Sequence, residues 1–128
     1  VARLAGRDEP SPKIDVSLWD LGALGLAPLS FTDGATIDPQ GFLYTASAEA
    51  SPNVVDDGVV TGSAIGVADG RGGRWAPIVD RSGELLAVKA EGLARGDRPD
   101  EWLITTDPDD VDTPSDLLTV RLEGPWRP

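Results

Sequence analysis

The stretch Ser30–Asp69, SFTDGATIDPQGFLYTASAEASPNVVDDGVVTGSAIGVAD, decides the fold. It predicts strands over Ser30–Ile37, Phe42–Ala48 and Ser63–Asp69. Between the first two, Asp38-Pro39-Gln40-Gly41 carries Pro second and Gly fourth, the signature of a type I turn. Between the second and third, Glu49–Gly62 reads as an acidic loop. Within it Asp57-Gly58 marks a tight turn flanked by Val54-Val55 and Val59-Val60. The strands over 42–48 and 63–69 have no clean polar side, as expected of strands covered on both faces. Ala46, Ala48, Ala64, Gly66 and Ala68 are small enough to let neighbouring sheets approach.

Much of this stretch recurs, degraded, toward the C-terminus. Phe31-Thr32-Asp33-Gly34-Ala35 matches Lys89-Ala90-Glu91-Gly92-Leu93, which pairs Asp33 with Glu91 at an offset of 58. Leu43-Tyr44-Thr45 matches Leu103-Ile104-Thr105 at 60, and the strand opening at Ser63 matches the one opening at Ser115 at 52. A near-constant period of antiparallel strands predicts an all-β chain of antiparallel β-propeller blades. The blade units fall at about 30–80 and 85–122, with outer strands of a partial blade over 1–21, in a single domain over 1–128.

The flanking segments complete this reading. Val1–Leu4 is a short strand. Lys13–Leu21 alternates, with Ile14, Val16 and Leu18 on one face and Asp15, Ser17 and Trp19 on the other, which predicts another strand. Gly22–Leu29 reads as an apolar connector held out of a helix by its glycines and Pro28. Arg74–Asp80 is an edge strand, because Pro77 cannot donate to a ladder. Leu85–Leu93, Glu101–Thr106 and Ser115–Leu122 supply the second unit, and no segment sustains a helical period. Closure of a propeller takes roughly four blades or more. The expectation is therefore a portion completed by a second copy in a homo-oligomer, or by missing blades in a partner chain, since raw sheet edges invite aggregation.

Composition narrows the function. Twenty-two acids against 11 bases give a formal charge of -11, which repels nucleic-acid phosphates and anionic membrane surfaces. The chain has no His and no Cys, which removes Ser-His-Asp and Cys-His catalysis and the commonest zinc ligand. No apolar run is long enough to span a bilayer, and no signal peptide is visible. Met is absent and residue 1 is Val, which suggests a trimmed chain or a fragment. Cytoplasmic and exported locations both stay open.

The pattern FTDGATIDPQGFLYTASAEAS…DDG…GSAIGVAD, followed by AVKAEGL…WLITTDPDDVDTPSDLLTVRL, resembles the C-terminal part of an uncharacterised bacterial β-propeller family. That family is distantly similar to phytase-like esterase and gluconolactonase-type propellers, and the resemblance covers about residues 13–122. It implies that the acid–Gly pairs, Asp33-Gly34 and Glu91-Gly92, sit on innermost strands beside a central channel. By the same resemblance Glu49, which follows the strand over 42–48, lies at the channel mouth.

Asp33 and Glu91 are thus the leading candidates for catalytic, ligand-binding and metal-ligating roles, with Glu49 a further ligand-binding candidate. Two carboxylates facing one channel would suit Ca²⁺ or Mg²⁺, and such a metal polarises a carbonyl or phosphoryl group. The plainer alternative is a carboxylate that accepts backbone N–H bonds to orient a strand, and for Glu49 a solvated loop residue. Asp56-Asp57-Gly58 and Asp107–Asp112 lack the spacing of a calcium loop and read as solvated turns. Ser47 and Ser63 have no base in any readable motif, and no G-x-S-x-G occurs. Trp19, Trp75, Trp102 and Trp126 read as packing residues; an exposed one beside carboxylates would offer a sugar-stacking platform. Two functions fit: a ligand-binding or scaffolding module, and a metal-assisted hydrolase of phytase-like esterase or lactonase type.

Overall fold

The computed structural model describes residues 13–39, 41–50 and 58–126. Among them every regular element is a strand, and every strand pairing is antiparallel. β1 (Ala23–Leu24), β2 (Ala27–Asp38), β3 (Gly41–Ala50), β4 (Val59–Asp69) and β5 (Gly72–Pro77) form one sheet in chain order. β6 (Lys89–Arg95), β7 (Glu101–Asp107) and β8 (Leu117–Arg121) form a second, again in chain order. The chain is all-β, built as two antiparallel, blade-like meanders.

The centre of the first sheet is buried on both faces, which is why β3 and β4 carry no polar side. Their register sets Tyr44 opposite Gly66 and Ala46 opposite Ala64 on one face, and Leu43 opposite Val67 on the other. On the first face Tyr44, Ala46, Ala48, Ala64 and Ala68 join Ala27 and Leu29, with Trp19, Leu21, Phe42 and Trp75 packed over them. The Tyr44 ring lies where a side chain at residue 66 would stand, so a Cβ there would overlap its Cζ and hydroxyl. On the second face Leu43, Ile65 and Val67 meet Ile78, Ala90, Trp102 and Ile104. Each large aliphatic fully buried in this seam contributes about 1.5–3 kcal/mol.

β6 is fastened to the first sheet at three points. The buried Ser63 hydroxyl donates to the Val88 carbonyl at 2.6 Å and accepts from the Ala90 N–H at 3.0 Å. Farther along, Asp33 accepts the Leu93 N–H at 2.7 Å, and the Arg95 guanidinium donates to the Ile37 carbonyl at 3.3 Å.

Four segments differ from the sequence reading. The expected acidic loop over Glu49–Gly62 is narrower, because Glu49 and Ala50 extend β3 and Val59–Gly62 open β4, Glu49 opposite Val60 and Ala50 opposite Val59. Lys13–Leu21 forms no strand, and Ile14, Val16 and Leu18 project into solvent, Leu18 at 95% exposure. The alternation is present, but no neighbouring strand pairs with it. The segment is held instead by Trp19 and Leu21 against the first sheet and by a 2.7 Å bond from the Trp75 indole to the Leu21 carbonyl. The expected connector over Gly22–Leu29 contains the β1–β2 hairpin, Ala23 opposite Pro28 and Leu24 opposite Ala27. Gly25 turns it at φ 65°, a conformation open to glycine. β6 begins at Lys89 rather than Leu85, which makes only an isolated bridge to Val79 across the Asp80–Gly83 turn. The expected Val1–Leu4 strand, Gln40 and the acidic pair Asp56-Asp57 lie outside the described residues.

Candidate functional site

The two strands that carry the acid–Gly pairs, β2 and β6, each contain a bulge, and the bulges decide where the acids point. In β2 the register passes from Phe31 opposite Ala46 to Asp33 opposite Thr45, leaving Thr32 unpaired. In β6 it passes from Ala90 opposite Thr106 to Gly92 opposite Thr105, leaving Glu91 unpaired. Thr45 and Thr105 are the matched positions of the repeat. The position that corresponds to Asp33 is therefore Gly92, and Glu91 corresponds to Thr32. The sequence pairing of Asp33 with Glu91 is corrected by one residue, because an extra residue in a bulge moves a side chain off the face its neighbours share.

Asp33 spends its carboxylate on the backbone. Oδ1 accepts the Gly34 N–H at 2.8 Å and Oδ2 the Leu93 N–H at 2.7 Å. It binds one sheet to the other, the plainer of the two roles open to it from sequence.

Glu91 and Glu49 do come together, around a cation the sequence reading did not single out. Lys89 Nζ lies 2.9 Å from Asp109, 3.4 Å from Glu49 and 3.8 Å from Glu91, with its side chain only 13% exposed. Ser47 donates to Glu49 at 3.4 Å. The bond to Asp109 raises the Lys89 pKa above its ordinary value; burial opposes the rise, and the charge of Glu49 adds to it. Glu91 is raised chiefly by burial, partly relieved by Lys89 and reinforced by Asp107, Asp109 and Glu49. A lysine held so firmly protonated is no nucleophile, since an activated lysine needs a depressed pKa. The same ammonium fills the space between the carboxylates. Among the described residues no group of three or more His, Cys, Asp or Glu side chains could hold a metal ion. Asp33 and Glu91 do not fit Ca²⁺ or Mg²⁺: one has both oxygens committed to backbone donors, and the other shares its surroundings with an ammonium.

The acidic loop after β7 is folded on itself. Asp109, at φ 53°, donates its N–H to Asp107 at 2.9 Å. Asp110 accepts the Thr113 hydroxyl at 2.6 Å and the Asp112 N–H at 3.1 Å, and these bonds lower its pKa. Thr106 closes the loop: its N–H donates to the Asp116 carbonyl and its hydroxyl accepts the Asp116 N–H, each at 3.0 Å. Both hydrogen-bonding sides of the Ser63 hydroxyl are occupied at β6, so it is no nucleophile.

Among the described residues two concavities stand out. The larger, about 1010 Å³, is a groove between the 76–86 segment and β8, lined among others by Ile78, Val79, Leu86, Leu118, Val120 and Trp126. The smaller, about 280 Å³, lies where the Ser17–Trp19 segment passes β2; Trp19, Phe31 and Phe42 line it, with Ser17 and residues 32–34.

Residues 1–122 match a family described as a family of unknown function, DUF6929. The chain belongs to the DUF6929 family. No curated protein and no solved structure matches it. Sequence reasoning missed two features of this DUF6929 chain. Lys89 stood inside the quoted repeat, but its partners come from three separate elements. The aromatic pocket joins a segment expected to be a strand to two phenylalanines far from it in the chain.

Proposed function

We propose that this chain is a non-catalytic binding and scaffolding module: a portion of a β-propeller completed by sheets from a second copy. The observation that carries this is the one-sided burial of the second sheet. In β7 Trp102, Ile104 and Thr106 are buried while the alternate Thr105 is exposed, and across β8 Leu117 is 66% exposed. The central strands of the first sheet, β3 and β4, are by contrast covered on both faces. Among the described residues β8 is also an edge strand, paired only with β7, and it borders the 1010 Å³ groove. An uncovered face beside an open edge is what a further blade would occupy.

The hydrolase reading finds no support in the geometry, because the acids it needs are engaged with backbone N–H groups and with Lys89. The scaffolding reading is tested by light scattering on the 13.4 kDa chain. The expected result is a mass of two chains or more that falls to one chain for Leu117→Asp. A monomer at all concentrations would overturn the reading.

A further inference from the structure

We infer that the outer edge of β8 takes residues 13–18 of a second copy of the chain as an added antiparallel strand. The inference rests on the reading that a second copy completes the fold, and names the segment that does so. Lys13–Leu18 alternates in sequence as a strand does, yet among the described residues it pairs with no strand. Its Ile14, Val16 and Leu18 stand 78%, 79% and 95% exposed. β8 and the residues after it alternate in the same way. Leu118, Val120 and Leu122 are half-buried and line the 1010 Å³ groove, while Thr119, Arg121 and Glu123 are exposed. The Leu122 N–H donates to the Asp100 carbonyl and the Thr106 N–H to the Asp116 carbonyl. Even-numbered residues of this strand therefore turn their backbone groups toward β7, and Leu117, Thr119 and Arg121 turn theirs to the outer edge. An extended segment adds to such an edge through main-chain hydrogen bonds.

Side-chain chemistry selects one register. With Val16 opposite Val120, Ile14 falls opposite Leu122 and Leu18 opposite Leu118, an aliphatic ladder on the groove face. The other face then sets Lys13 opposite Glu123, Asp15 opposite Arg121 and Ser17 opposite Thr119. Opposite charges and paired hydroxyls at directly facing positions favour pairing. A slide of two residues is the smallest that keeps the faces. In one direction it sets Lys13 against Arg121, in the other Asp15 against Glu123, both like-charge pairs. The charged groups are within reach of a partner. Lys13 and Asp15 are 87% and 83% exposed and 3.5 Å apart, and Arg121 is 55% exposed with its Nε 3.6 Å from Asp100. The donor is a different copy, because Trp19 and Leu21 pin the segment to the Tyr44 face of the first sheet, whereas the second sheet docks on the opposite, Leu43 face. Reciprocal donation gives a closed pair.

The test is a charge exchange read by analytical ultracentrifugation of the full chain. Lys13→Asp with Asp15→Lys leaves the net charge at -11 and makes both charged pairs repulsive. It should weaken self-association about tenfold. Adding Arg121→Glu with Glu123→Arg makes both pairs attractive again, and should restore the affinity to within about threefold. Because the chain has no Cys, the register is also read by an engineered disulfide. Chains carrying Ser17→Cys, mixed with chains carrying Thr119→Cys and oxidised, should give a disulfide-linked pair that neither chain gives alone. An oligomer that tolerates the first exchange, is not restored by the second, or forms no link between positions 17 and 119 would overturn this inference and leave the scaffolding reading standing. A parent chain that is monomeric at every concentration would overturn both.

Discussion

Asp33 on β2 accepts the backbone N–H of Leu93 on β6 at 2.7 Å, so a single carboxylate ties one sheet to the next. Its other oxygen caps Gly34. The residue that stands out in the sequence as a catalytic candidate is a structural fastener between two blade-like units.

Asp33→Ala should therefore destabilise the fold. A hydrogen bond to a charged group contributes about 1.5–3 kcal/mol, and two donors lose their acceptor. Asp33→Asn keeps one acceptor oxygen and should cost less than half as much. Urea unfolding of the two variants checks the order; equal and negligible losses would contradict it.

Lys89 holds three carboxylates from β3, β6 and the loop after β7. Lys89→Gln leaves them facing one another and should cost about 1–3 kcal/mol at neutral pH, with the loss shrinking as the acids protonate. Calorimetric melting of Lys89→Gln and its parent across pH reads this, and a loss that did not change with pH would contradict it.

The two ends of this cluster respond to pH with the same sign, stability falling as pH rises, but in two different windows. The folded pKa of Lys89 is raised, so its contribution is complete below the ordinary lysine value, about 10.4, and is lost as pH climbs through the folded value. The folded pKa of Glu91 is also raised, mainly by burial, so its ionised form is a cost at neutral pH. That cost disappears as pH falls and the folded state takes up the proton. Glu91→Gln should accordingly raise the melting temperature at pH ~7, with the gain gone below pH ~4, where the parent side chain is already neutral in both states. A gain that grew on acidification would contradict the assignment.

Tyr44 has a buried hydroxyl without a hydrogen-bond partner, and burial raises its pKa. Tyr44→Phe removes a desolvated polar group and should be neutral or stabilising by about 1 kcal/mol. Gly66→Ala pushes a methyl into the same ring and should destabilise by about 1–3 kcal/mol, the usual cost of overpacking. The double substitution Tyr44→Ala with Gly66→Ala should cost less than the sum of its parts, because the clash is then absent.

The strands over 30–37, 42–48, 63–69 and 101–106 were legible because local apolar pattern and turn residues agree there with tertiary packing. The turn at Asp38–Gly41 was legible for the same reason, and the Asp38 carboxylate does accept the Gly41 N–H at 2.9 Å. Lys13–Leu21 was misread because alternation says which residues share a face, not whether a partner strand exists. The Asp33–Glu91 equivalence slipped by one because a bulge leaves no mark in composition. The Lys89 cluster was invisible because its acids at 49, 91 and 109 converge only once both sheets are docked.

The account rests most heavily on the second sheet meeting another copy of the chain along β8 and its uncovered face. Amide hydrogen exchange of residues 117–121, followed from dilute to concentrated protein, tests this directly. The account predicts protection of those amides that rises with concentration, while β3 and β4 stay protected throughout. Rapid exchange across β8 that is the same at every concentration would contradict it.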